Sequence, residues 1–137
     1  MKLLFIVLGI AVLILLGCTR EESDLPVGST ELEFNSDLWM MDKSTSPLKH
    51  ETGMMISNRE RMLGDLVLNI LPGSSRKEII SLLGPSLETS YFKSVDKDLI
   101  YYMGPERESY FGGIDSEWLL IWMDDNGNFE KYALFKD

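Results

Sequence analysis

Two four-residue boxes, Ser57-Asn58-Arg59-Glu60 and Ser75-Arg76-Lys77-Glu78, constrain this chain more than any other feature. In each, a serine hydroxyl can accept an orphan N–H of a helix's first turn, while the glutamate three residues on reaches back to the serine's own N–H. Behind the first box, Met62, Leu63, Leu66, Val67 and Ile70 recur at three- and four-residue spacing, which places them on one apolar helical face. Pro72-Gly73 stops that helix. Behind the second box the face is Ile79, Ile80, Leu82 and Leu83, and Gly84-Pro85 is the stop. Two short helices joined by a tight corner are expected.

After Pro85 the period changes from helical to two. Leu99-Ile100-Tyr101-Tyr102-Met103 is β-branched and aromatic, with Gly104-Pro105 closing it. In Trp118 to Met123, alternate residues (Trp118, Leu120, Trp122 and Leu119, Ile121, Met123) line opposite faces of a strand. Asp124-Asp125-Asn126-Gly127 is a hairpin turn, because Asn-Gly tolerates the positive φ such turns need, and Phe129 to Phe135 returns as the partner. A strand apolar on both faces belongs in the middle of a sheet. The order predicts an α+β fold, two short helices packed on a three-stranded antiparallel sheet. Ser44 to Gly53, with Pro47 and no periodicity, reads as loop.

The start of the chain carries a different signal. Met1-Lys2 precedes Leu3 to Leu16, fourteen residues interrupted only by Gly9, and Gly17-Cys18 follows. Fourteen is short of the roughly 20 needed to span about 30 Å of hydrocarbon. It suits the apolar core of a signal peptide, about 7–15 residues. An apolar run closing on a small residue and then cysteine is the pattern of a bacterial lipoprotein signal. Residues 1–17 are therefore expected to be removed and Cys18, the single cysteine, to be lipidated with palmitate-type acyl chains. Each buried CH₂ adds about 0.8 kcal/mol, so several chains anchor firmly. Acylation would leave no thiol for a disulfide or a metal site. Thr19, rather than an aspartate after the cysteine, leans towards the outer membrane.

Residues 18–33 are polar and acidic with Pro26 and Gly28, which reads as a flexible tether reaching at most about 50 Å. Residues 34–137 are the expected folded domain. The full chain has a formal charge of −9 and, without Lys2, a mature chain would carry 12 basic against 22 acidic residues. Such a balance argues against nucleic acid and against electrostatic binding to anionic headgroups.

Few residues suggest chemistry. His50, the one histidine, sits in the expected loop with no cysteine or paired carboxylate beside it, and is expected to be exposed. Asp124 to Asn128 resembles a calcium loop only in composition; its glycine is fourth rather than sixth and no glutamate closes it. There is no nucleophile elbow and no phosphate-cradling loop, so neither an enzyme, a cofactor, a metal nor a small-molecule substrate is expected. Aromatic residues dominate the second half, and tyrosine and tryptophan are frequent anchors of protein interfaces. Tyr102, Tyr110 and Phe111 are the expected members of an exposed interaction patch. Met40, Met41, Met54 and Met55 either form an adaptable binding surface or fill gaps beneath the loop.

Several residues together carry a resemblance: an acylatable Cys18, a polar spacer, Arg61-Met62 and Asp65-Leu66 on the first helix, and Leu71-Pro72-Gly73-Ser74-Ser75-Arg76-Lys77-Glu78-Ile79 leading to Leu82-Leu83-Gly84-Pro85. Tyr101-Tyr102-Met103-Gly104 completes it. The chain thereby resembles the SmpA/OmlA (BamE-like) family of small outer-membrane lipoproteins, over roughly residues 56–135. The resemblance implies a domain like one repeat of the β-lactamase-inhibitor protein. It also implies an accessory subunit at the periplasmic face of the outer membrane of a Gram-negative bacterium, associated with the machinery that inserts β-barrels. The competing expectation, from charge, is an acidic envelope inhibitor or immunity-type protein that blocks a basic site on an enzyme. The lipoprotein reading predicts that Cys18→Ala leaves the domain folded and moves it from the membrane to the soluble fraction; a variant still held in the membrane fraction would refute it.

Overall fold

The computed structural model describes residues 24–107 and 115–137. Helix α1 (Ser36–Met40) opens on Asn35, whose Oδ1 accepts from the Leu38 N–H at 2.9 Å. Strands β1 (Leu48–Lys49) and β2 (Met55–Ile56) form a minimal antiparallel ladder, with Leu48 opposite Ile56. The stretch expected as plain loop thus contains a strand. Helix α2 (Asn58–Asp65) begins with the complete capping box: Glu60 N–H donates to Ser57 Oγ, and Ser57 N–H donates to Glu60 Oε1 at 3.0 Å. It runs on as one π-turn over Leu66–Ile70, closed by Leu71 N–H donating to Leu66 O.

Helix α3 (Arg76–Leu83) is capped on one side only, by Ser75 Oγ accepting from Glu78 N–H at 3.2 Å. The reciprocal bond expected from the second box does not form. The helix start is tied to the sheet instead: Arg76 N–H donates to Gly127 O and Phe129 N–H to Ser74 O. Strands β3 (Leu99–Pro105), β4 (Ser116–Met123) and β5 (Phe129–Lys136) make an antiparallel sheet with β4 central, as its two apolar faces require. The turn before β5 is built on Asp124, whose Oδ1 accepts from the Asn126 and Asn128 N–H groups, with Gly127 at φ +79°. Strand β3 runs through Gly104, where the register slips. At φ +135° that glycine leaves no room for a side chain, since a Cβ would lie 2.8 Å from both Glu60 Oε1 and Ser57 Cβ.

The two faces of β4 enter two clusters. Leu119 and Ile121 join Met62, Leu63, Leu66, Ile79 and Leu83 in the main core beneath the helices. Trp118 and Leu120, with Ile100, face the other way. That second face is covered by the connection between α3 and β3: the Phe92 ring meets Trp118 at 6.2 Å and Phe135 at 5.2 Å, nearly perpendicular to each.

The tether expectation fails for the part that the structure describes. From Asp24 to Glu33 the chain lies against α2, with Leu25 and Leu32 packed on the main core. Leu32 N–H donates to Arg61 O, and Gly64 N–H to Ser29 O at 2.7 Å. The composition is polar, but two leucines and backbone pairing suffice to dock it. Gly64 makes the close approach possible, because a Cβ there would stand 2.8 Å from Ser29 O. Gly64→Ala should therefore cost about 1–3 kcal/mol, lower the thermal midpoint by several degrees, and make the segment around Leu25 newly sensitive to protease. An unchanged midpoint and cleavage pattern would contradict this docking.

Candidate partner-binding groove

The site begins with the end of a helix. The last carbonyls of an α-helix have no partner within it. At the end of α3, Ser36 Oγ donates to Leu82 O at 2.6 Å, Trp39 Nε1 to Leu83 O at 3.1 Å, and the Tyr101 hydroxyl to Gly84 O at 3.0 Å. Donors from α1 and β3 thus fix where α3 stops. Burial pushes the Tyr101 phenol up to about 12, so it stays a donor across the physiological range.

Arg59, in the first turn of α2, spans the same junction. Its Nε donates to Trp39 O and its Nη1 to Tyr102 O, each at 2.9 Å. The guanidinium carbon lies 4.6 Å above the Trp39 ring, within cation–π range. Burial pulls the guanidinium down to about 10. Around it opens a groove of about 320 Å³, walled by Leu83, Gly84, Pro85, Tyr101 and Tyr102 and rimmed by Met40 and Leu87. Met40 and Leu87 are each 45% exposed. Among the described residues, Arg59 is the only charged one in the lining.

Of the residues expected in an interaction patch, Tyr102 lines this groove, though its half-buried ring rests 5.0 Å from Trp118. Tyr110, Phe111 and Cys18 lie outside the described residues. Met40 and Met41 are exposed, whereas Met54 and Met55 are half-buried beside β2. Sequence reasoning missed Arg59 and Leu87. A signal for Arg59 was present: it stands three, four and seven residues before Met62, Leu63 and Leu66, on the apolar stripe itself.

A larger opening, about 600 Å³, adjoins Leu48, Lys49, His50 and Ile56. His50 is not the exposed loop residue expected; its side chain is 9% exposed. Its Nε2 bonds to Glu31 Oε1, and its Nδ1 pairs with Thr52 Oγ1 at 2.7 Å, latching the β1–β2 hairpin to the N-terminal segment. The His50 hydrogen bond holds the Glu31 carboxyl below its usual range, burial opposes it, and Arg61 adds to the lowering. Glu31, His50 and Arg61 thus bond to one another, while Lys49 and Glu51 lie along the same opening. Among the described residues no cluster of three metal-ligating side chains forms.

The other buried arginine is fully countered. Arg107 is 2% exposed and pairs with Glu117 at 2.7 Å and with Glu60 Oε2 at 3.2 Å. Its Nη1 also donates to Val27 O and Ser29 Oγ, pinning the N-terminal segment. Glu60 is fully buried, and its Oε2, misaligned with Arg107, accepts no hydrogen bond. Burial first, and then the Glu117 charge, push the Glu60 carboxyl up to about 8, against the pull of Arg107 and Ser57.

The described residues therefore define an α+β domain in which Arg59 lines an apolar groove between α1, α2, α3 and β3. No family model matches this chain, and no curated protein or solved structure matches it either.

The Glu60 geometry fixes a pH dependence. A raised pKa means that the folded state holds the proton more tightly than the unfolded chain does, whose carboxyl titrates near 4.5. The stabilisation is complete below pH 4.5 and is lost as pH rises through about 8. Urea midpoints should fall steadily from pH 5 to pH 9, and Glu60→Gln should remove most of that slope. A wild-type midpoint that stays level over this range would refute the assignment.

Proposed function

We propose that this chain is a lipid-anchored accessory subunit at the periplasmic face of the outer membrane, which docks onto an envelope protein complex through the Arg59 groove. The β-barrel assembly machinery is the complex to which the resemblance points. The observation that carries the reading is the pairing of exposed Met40 and Leu87 at the mouth of a groove whose walls are hydrogen-bonded in place. A rigid apolar opening lowers the ordering cost of binding, which favours a docking role. The Leu16-Gly17-Cys18 sequence supports the anchor, and the acylated N-terminus would keep the groove close to membrane-bound partners.

A photo-crosslinking residue placed at Leu87, in the chain carrying its own leader, should yield one dominant adduct with an envelope protein. Purification in mild detergent should return the same protein. Recovery of the monomer alone under several growth conditions would overturn the proposal. The acidic-inhibitor alternative rests on the charge of −9. It requires a basic enzyme whose association weakens sharply with salt and bypasses the groove.

A further inference from the structure

Resting on that docking role, we infer that the groove receives a carboxylate side chain of a partner polypeptide, a glutamate or aspartate flanked by apolar residues. Charge complementarity is the argument. Among the described residues, Arg59 is the sole charge lining the groove, and no carboxylate pairs with it. Both carboxylates of the neighbouring cluster converge on Arg107 instead. An arginine carries five N–H donors in a planar fork. The Nε and Nη1 of Arg59 are held by backbone carbonyls, while its Nη2 makes no hydrogen bond to the described residues. The two carbonyls and the Trp39 ring also fix the guanidinium plane, so a carboxylate would meet a positioned donor.

The surroundings set the remaining chemistry. Leu83, Pro85 and the exposed Met40 and Leu87 offer apolar contact on either side of the charge, so the entering carboxylate needs apolar neighbours. About 320 Å³ is at the low end of ligand-pocket volumes and fits a few side chains of a docking segment. A lipid headgroup is the poorer occupant, because an anionic bilayer repels a chain of net charge −9. The same negative field discourages acidic segments that lack the apolar contacts, which makes the combination selective.

The test uses the full chain in neutral detergent micelles and two end-blocked peptides, Ac-FLEL-amide and its glutamine counterpart Ac-FLQL-amide. Binding is read from the methyl signal of Met40, assigned through Met40→Leu. The glutamate peptide should bind about tenfold tighter than the glutamine peptide, and salt should weaken the first more than the second. Arg59→Met should abolish the difference; because Arg59 also braces the fold, Leu87→Asp on the exposed rim provides the second variant. It should keep the thermal midpoint and weaken the glutamate peptide about tenfold or more through like-charge repulsion. Equal binding of both peptides, an unmoved Met40 signal, or a response only to phosphatidylglycerol vesicles would overturn the inference. Leu87→Asp co-purified with the envelope partner as well as wild type would do so too, while leaving the accessory-subunit role standing.

Discussion

The indole of Trp39 joins the helices, the sheet and the groove. It is wholly buried, donates to Leu83 O, and has Phe34 at 6.1 Å and Tyr101 at 6.2 Å around it. Its own carbonyl accepts from Arg59, whose guanidinium also lies on its ring. A large aromatic side chain brings extensive apolar burial and one polar handle, and here the handle caps a neighbouring helix. Because α1 is only five residues long, it has little stability of its own; the tryptophan holds it in place. The groove is therefore made of parts that cannot shift independently. Moving the end of α3 would break three hydrogen bonds at once, leaving the buried Leu83 carbonyl and two part-buried ones unpaired.

Local signals were legible in the sequence and distant pairings were not. The Ser57–Glu60 box, the Pro72-Gly73 and Gly84 stops, and the turn at Asp124 to Gly127 depend on neighbours within a few residues, and each forms as read. The central place of β4 followed from apolar residues on both faces. At the second box the glutamate half is missing, and the helix start is instead paired by its backbone with the distant β4–β5 turn. The segment from Asp24 to Glu33 was misread because its average polarity hides Leu25 and Leu32, and because its docking depends on the absence of a side chain at Gly64. Phe92 was visible as an aromatic, but nothing nearby in sequence says that its loop crosses the second face of the sheet.

The two arginines of the interior show how one side chain serves opposite purposes. Arg107 meets two carboxylates and the carbonyl of Val27, so its charge is absorbed in fastening the N-terminal segment to α2 and β4. Among the described residues Arg59 meets carbonyls and an aromatic face, which orient it without neutralising it. A partly buried cation lacking a counter-ion carries a desolvation cost, and burial indeed lowers its proton affinity. Carbonyl dipoles and the indole quadrupole offset part of that cost. An entering carboxylate would offset the rest.

Both arrangements grow from the same first turn of α2. Ser57 caps the helix and donates to Met103 O, joining it to β3 where Gly104 leaves room. Glu60 closes the box with one oxygen and presents the other to Arg107. Arg59, between them, reaches towards Trp39 and Tyr102. The charge needed by the groove and the acid needed by the interior thus occupy consecutive positions, separated by about 100° around the helix. Placing them one residue apart keeps Glu60 with Arg107 and Glu117 and Arg59 with the carbonyls of Trp39 and Tyr102, so the acid does not neutralise the cation beside it in the chain. A motif that reads in sequence as the start of a helix is, in three dimensions, the element that sends Arg59 and Glu60 to different contacts.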